Sequence, residues 1–128
     1  MEKKKILIVD DEPDVLLLLG ERLTKAGYNV FKAASGKEAI EYAGKKSPDL
    51  IVLDIAMPGM DGSEVATVLR NDPKTKDIPI LFLTCLFTKQ EEKVCGHLLG
   101  SNFFIAKPYD VTELLSEVDK RVNRPKEA

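Results

Sequence analysis

The chain has 128 residues, of which 44% are hydrophobic and 31% charged, with a formal net charge of −2. This is the size and balance of a single globular domain. The charge leaves no basic surplus for neutralising phosphates, so nucleic acid is not expected as a direct partner. Two cysteines, Cys85 and Cys95, are too few for a disulfide framework or a structural zinc site.

The N-terminal sequence shows neither a secretory signal peptide nor a membrane span. The apolar run that follows the basic start is Ile6–Val9, only four residues long, whereas a span needs about 20. Together with the low cysteine content, this predicts a cytoplasmic protein without a membrane partner.

Five short apolar runs alternate with longer amphipathic stretches, and each run is predicted to be a β-strand. The runs are Ile6–Val9, Tyr28–Ala33, Leu50–Leu53, Ile80–Leu83 and Phe103–Ala106. Ile6–Val9, Leu50–Leu53 and Ile80–Leu83 are among those that are apolar throughout, which is typical of parallel strands buried on both faces.

Five helices are predicted, one after each strand. Their start and stop signals are Pro13, Gly27, Pro48 and the capping pairs Ser35/Glu38, Asp61/Glu64, Thr88/Glu91 and Asp110/Glu113. The alternating order predicts an α/β domain with a doubly wound parallel sheet and helices on both faces. We expect one domain over residues 1–128, with a core from about residue 4 to 122 and a loose tail over 123–128.

Polar side chains stand just past four of the five predicted strands. They are Asp10 and Asp11 after the first strand, Asp54 after the third, Thr84 after the fourth and Lys107 after the fifth. The second strand ends in two alanines and is expected at an edge of the sheet. Because ligands of such sheets bind at the carboxyl ends of the strands, these residues predict the site.

The chemistry of these residues favours phosphoryl transfer. Three carboxylates at one edge would repel one another, and a divalent cation removes that problem. Oxygen ligands without histidine or thiolate favour Mg²⁺, with Mn²⁺ as the alternative, over zinc. Asp54 is the predicted nucleophile and Asp10 and Asp11 the metal ligands, while Lys107 and Thr84 would contact the phosphoryl oxygens.

Each of these residues also has an ordinary structural explanation. Asp11 alone is an acid near a helix start, Lys107 alone a surface lysine and Thr84 alone a strand residue. Their joint placement at one edge favours the functional interpretation. Glu12, beside Pro13, is interpreted as a helix-start residue and not as a ligand.

Four stretches occur in the order and spacing of a known family: ILIVDDEP, PDLIVLDIAMPGMDG, PILFLT and GSNFFIAKPYD. From residue 4 to about 122 the chain resembles the receiver domains of response regulators in two-component signalling. The resemblance implies a flavodoxin-like three-layer sandwich with strand order 2-1-3-4-5 and five helices. It also implies a phosphoacceptor signalling domain, not an enzyme, which catalyses only its own phosphorylation and dephosphorylation.

The resemblance implies a role for individual residues. Asp54 would be the phosphoacceptor, and Lys107 would pair with it. Asp11, Asp54 and the backbone carbonyl of Ala56 would bind the metal directly, and Asp10 would bind it through water. Thr84 and Phe104 would form the conformational switch. No organic cofactor is implied.

The resemblance also implies partners. The phosphodonor would be a sensor histidine kinase or a phosphotransfer protein, because the chain's single histidine, His97, has no kinase-like context. Phosphorylation would change the surface of the fourth helix, fifth strand and fifth helix, which would signal to an output partner or domain or form a homodimer.

Leu86 and Ala56 lie beside the phosphorylation site in this resemblance, and their apolar side chains cannot hydrogen-bond a water that attacks the phosphoaspartate. This predicts a moderately long-lived phosphoaspartate.

Three alternative functions or contexts compete with this interpretation. A phosphatase of the haloacid-dehalogenase type needs Asp-x-Asp after the first strand, where Glu12 stands two past Asp10. A flavin-binding flavodoxin-like module needs a phosphate loop in place of DDEPD. A receiver excised from a larger response regulator or hybrid kinase would have this same sequence, so that alternative stays open.

Overall fold

The computed structural model describes residues 3–54, 62–84, 103–106 and 111–122 of the chain. Five strands form one parallel sheet in the order β2-β1-β3-β4-β5. They are β1 (Lys5–Val9), β2 (Asn29–Ala33), β3 (Leu50–Asp54), β4 (Ile80–Thr84) and β5 (Phe103–Ala106). The predicted fold class, strand order and edge position of β2 are confirmed, and each strand boundary lies within one residue of its predicted place.

The described residues include four helices. They are α1 (Pro13–Lys25), α2 (Gly36–Lys46), α3 (Gly62–Arg70) and α4 (Val111–Val122). The fourth helix of the sequence prediction, which starts near Thr88, lies outside the described residues, so α4 here is the fifth predicted helix. Among the helices described, none is long and apolar enough to cross a bilayer.

The ends of the first two helices follow the local chemistry of their sequence. Pro13 begins α1, where its missing N–H costs no hydrogen bond. Gly27 follows α1 with a φ of 99°, a left-handed conformation that stops the helix. The N–H of Glu38 donates to Ser35 Oγ at 3.2 Å, so Ser35 caps α2 as predicted. The residues Asp61, Thr88 and Asp110 of the other capping pairs lie outside the described residues.

Side chains alternate along each strand and divide the core into two layers. Ile6 and Ile8 of β1 pack in the layer that contains α1 and α4, whereas Leu7 and Val9 pack in the layer that contains α2 and α3. All four of these side chains are buried. A strand covered on both faces must be apolar throughout, which explains the continuous runs and confirms the three-layer sandwich.

Candidate metal and phosphoacceptor site

The register of the sheet brings Asp10, Asp54 and Thr84, three of the predicted site residues, to one edge. Val9 of β1 pairs with Leu53 of β3, and Asp10 and Asp54 each follow this pair by one residue. Thr84 ends β4 and pairs with Ala106, the last residue of β5. These residues, which are far apart in the sequence, therefore lie side by side at the carboxyl ends of their strands.

Three carboxylates converge at this edge. One oxygen each from Asp10, Asp11 and Asp54 lies within 4.8 Å of the other two. Asp10 and Asp54 are only 2% and 5% exposed, whereas Asp11 faces solvent. Two members of this carboxylate cluster, called the acidic cleft below, are therefore nearly buried and the third is exposed.

The donor set suits a hard divalent cation. All three groups offer carboxylate oxygens, which are the ligands that Mg²⁺ and Ca²⁺ prefer, and the cluster contains no imidazole or thiolate. Two nearly buried carboxylates beside a third repel one another strongly when all are ionised, and a cation among them offsets that repulsion. The residues present could thus bind a metal ion.

Asp10 is held in place by two hydrogen bonds to the main chain. Its N–H donates to the carbonyl of Ala33 at 3.2 Å, which extends the β1–β2 pairing past the end of both strands. Its Oδ1 accepts from the N–H of Glu12 at 2.9 Å. The second bond is an Asx-turn, in which an aspartate binds the main chain two residues on.

The loop that carries the Ala33 carbonyl is itself fixed. The N–H of Ala34 donates to Glu38 Oε1 at 2.7 Å, and Glu38 in turn binds the Ser35 cap. The loop between β2 and α2 contributes no side chain to the cleft, but it fixes the acceptor of the Asp10 N–H. This contribution through the main chain was not predicted from the sequence.

The backbone places two further predicted site residues in the sheet. The backbone of Thr84 ends β4, and Phe104 lies opposite Phe82 in the sheet. Lys107 and Ala56 lie outside the described residues. The sequence prediction for Glu12 considered only its side chain, so the hydrogen bond from its N–H to Asp10 was missed. The signal that indicates it is the Asp10-Asp11-Glu12 spacing of an Asx-turn before a helix.

Comparison with known proteins identifies the family. A family model described as "Response regulator receiver domain" matches residues 6–119, and the chain belongs to that family of signalling domains. It is similar to the DNA-binding dual master transcriptional regulator RpaA of Synechocystis, with 40% identity over 120 residues. That alignment covers 94% of this chain and 49% of RpaA. The chain spans about half the length of the curated relatives it matches.

Solved receiver structures share the fold. The chemotaxis protein CheY4 of Vibrio cholerae superposes with a TM-score of 0.85 at 32% identity, covering 94% of this chain and 99% of CheY4. The receiver domain of a sensor histidine kinase from Pseudomonas aeruginosa gives 0.83 at 26% identity, covering 94% and 98%. That structure is described with a magnesium ion in its active-site cleft.

Because RpaA binds DNA, the expectation that nucleic acid is not a direct partner finds no support among the relatives.

Proposed function

We propose that Asp54 accepts a phosphoryl group from a phosphohistidine on a sensor histidine kinase or phosphotransfer protein. The observation that carries the proposal is the convergence of Asp54 with Asp10 and Asp11, within 4.8 Å, at the carboxyl edge of a receiver-family sheet. Asp54 ends the central strand β3, so a rigid element holds the acceptor carboxylate in place. Positioning of this kind supplies much of the rate in phosphoryl transfer.

The transfer exchanges one bond to phosphorus for another. A carboxylate oxygen of Asp54 attacks the phosphorus, and the bond between phosphorus and the imidazole nitrogen breaks, leaving its electron pair on that nitrogen. Asp10 and Asp11, with Asp54, would hold Mg²⁺, or Mn²⁺ in its place. An ion held there would supply positive charge that offsets the negative charge of the phosphoryl oxygens. The magnesium-containing receiver from Pseudomonas aeruginosa supports this assignment.

Four further roles complete the proposal and rest on the family resemblance. The backbone carbonyl of Ala56 would complete the metal site, and Lys107 would pair with the phosphoryl oxygens. Thr84 and Phe104 would respond to phosphorylation as a switch. Thr84 ends the strand next to Asp54, which supports its role.

The output is proposed to be a change of surface. Phosphorylation would alter the face that includes β5 and α4, and a partner, a further domain or a second copy would read it. Relatives of about twice this length, one of them a DNA-binding regulator, support a DNA-binding output domain as one recipient. The domain itself would catalyse only its own phosphorylation and dephosphorylation, in the cytoplasm.

Phosphorylation by a small donor tests the acceptor. The protein is incubated with acetyl phosphate and MgCl₂, and its intact mass is recorded. We expect one phosphoryl adduct, absent from Asp54→Asn and retained in Asp77→Asn, which removes an exposed carboxylate outside the cluster. An adduct that persists in Asp54→Asn would overturn the assignment.

Two further measurements test the metal site and the rival functions. Asp11→Ala should lose magnesium-dependent phosphorylation while keeping its fold, because Asp11 is exposed and its loss leaves no cavity. A normal rate in this variant would show that Asp11 does not hold the metal. Sustained phosphate release from many monophosphates would indicate a phosphatase, and a yellow purified protein would indicate a flavodoxin-like module.

A further inference from the structure

Glu38 is an exposed acid in the first turn of α2, and its carboxylate reaches back to the loop that follows β2. Its Oε1 accepts the N–H of Ala34 at 2.7 Å, and its own N–H donates to Ser35 Oγ at 3.2 Å. In the usual capping box, the acid at this position accepts the N–H of the cap residue itself, which here is Ser35. Glu38 instead binds the residue before the cap, so this contact is not the one that an ordinary capping box makes.

The Ala34 N–H belongs to the same peptide group as the Ala33 carbonyl. That carbonyl accepts the N–H of Asp10 at 3.2 Å. One planar peptide group therefore makes a hydrogen bond at each end, and it links Glu38 at the surface to Asp10, which is 2% exposed. Hydrogen bonds joined in this way strengthen one another, because each polarises the group that they share.

The acidic cleft needs its main chain held in place when it contains no cation. Oxygens of Asp10, Asp11 and Asp54 lie within 4.8 Å of one another, and their charges repel when all three groups are ionised. The bond to Ala33 anchors Asp10 one residue past the end of β1, against this repulsion. A looser anchor would lower the fraction of molecules whose carboxylates are placed to bind a cation, and the apparent affinity falls in proportion to that fraction.

We propose that Glu38 is a positioning residue for the metal site: its hydrogen bond to the Ala34 N–H fixes the peptide group that anchors Asp10, and so raises the affinity of the three carboxylates for Mg²⁺. This role rests on the proposed function, because it needs a cation at those carboxylates. It adds to the site an acid that lies outside the carboxylate cluster.

Three variants separate the hydrogen bond of Glu38 from its charge. Glu38→Ala removes both, whereas Glu38→Gln removes the charge and keeps an oxygen that can accept the Ala34 N–H. The control is Glu41→Ala, which removes an exposed acid of the same helix that pairs with Lys45.

Cation affinities are measured on the full chain. Electron paramagnetic resonance of free Mn²⁺ gives the affinity for MnCl₂, and competition with MgCl₂ gives the affinity for Mg²⁺. We expect the Mg²⁺ affinity to fall about threefold in Glu38→Ala, less than the roughly 10–100-fold cost of losing a direct partner of a metal ligand. Glu38→Gln should keep most of the native affinity, and Glu41→Ala should keep all of it.

Hydrogen exchange in EDTA tests the link to Asp10 without a metal. The Asp10 amide should exchange about threefold faster in Glu38→Ala, relative to the Ile8 amide in the middle of β1, because the Ala33 carbonyl is held less firmly. In Glu38→Gln the ratio of the two rates should stay near its native value. Equal acceleration at both amides would indicate a general loss of stability, which overturns the positioning role.

The affinities distinguish this role from the proposed function. Equal losses of Mg²⁺ affinity in Glu38→Ala and Glu38→Gln would mean that the charge acts and not the hydrogen bond, which overturns the role of Glu38. A native affinity in Glu38→Ala, with Asp11-dependent Mg²⁺ binding in the native protein, also overturns that role alone. A native protein whose cation binding does not depend on Asp11 overturns the proposed metal site and the role of Glu38 with it.

Discussion

Asp54→Asn is expected to stabilise the metal-free protein. The substitution keeps the shape of the side chain and removes one negative charge from a cluster whose oxygens lie within 4.8 Å of one another. A residue selected only for stability would not be an aspartate at this place. The free energy of unfolding should therefore rise when the charge is removed.

The separation of the oxygens sets the scale of the effect. Two unit charges at the outer limit of 4.8 Å repel by about 3.5 kcal/mol at an effective dielectric constant of about 20, and closer charges repel more. Asp10 and Asp54 are both nearly buried, so bulk water screens this pair little. Asp10 also accepts a hydrogen bond from the N–H of Glu12, which offsets part of the repulsion. We expect a gain of about 1–3 kcal/mol, below the full Coulomb value.

Urea unfolding with and without magnesium measures the effect. In EDTA, Asp54→Asn should be more stable than the native protein, while Asp77→Asn, an exposed carboxylate outside the cluster, should differ little. In MgCl₂ the native protein should gain stability from binding, and the variant should gain less because it has lost a ligand. The difference between the two should therefore shrink or reverse.

One result would contradict this prediction. If Asp54→Asn is no more stable than the native protein in EDTA, and MgCl₂ leaves the difference unchanged, the three carboxylates neither repel one another nor share a cation. The cluster would then be a group of neighbouring acids without a common function.

Three further predictions concern the fold. Tyr28 donates to Asp119 Oδ1 at 3.2 Å, and burial, with this hydrogen bond, raises its pKa from 10.0 to about 12. Because the folded state holds the phenol proton more tightly than the unfolded state, this contribution to the free energy of unfolding is complete below pH 10 and is lost as the pH rises to about 12. Tyr28→Phe should therefore reduce the loss of stability at high pH, as measured by urea unfolding. An equal loss in the variant would refute this prediction. Thr75 Oγ1 donates to the Leu69 carbonyl at 2.7 Å in a buried position, so Thr75→Val should cost about 1–3 kcal/mol in chemical unfolding. Thr75→Ser keeps the hydroxyl and should cost less; equal losses would contradict this reason. Gly27→Ala should destabilise the protein by about 1–2 kcal/mol, because the φ of residue 27 is 99°. Gly44→Ala should instead stabilise it by up to about 1 kcal/mol, because residue 44 lies within α2 and open space surrounds the position of an added Cβ. Calorimetric melting of both variants tests this contrast.

The strands were predictable because the order of apolar and polar residues in each run depends on whether one or both faces of the strand are covered. A run such as Ile6–Val9 is apolar at every position, and only a strand covered on both faces can bury all of it. The helix ends were predictable for a similar reason, since Ser35 and Gly27 act on groups within a few residues of themselves.

The acidic cleft was predictable as a set of residues and not as a geometry. Parallel strands end at one edge, so the sequence by itself indicates that Asp10, Asp11 and Asp54 share that edge. The distance between their oxygens depends on the pairing of β1 with β3, which joins segments far apart in the chain. No local pattern specifies such a register.

The main chain around the cleft was decided by tertiary structure alone. The Ala33 carbonyl and the Glu12 N–H hold Asp10, yet every residue except proline carries the same amide hydrogen and every residue the same carbonyl. A residue type can reveal a carboxylate but not which backbone group points at it. The sequence by itself therefore determined the sheet and the acids at its edge, and the packed fold determined how one of those acids is held.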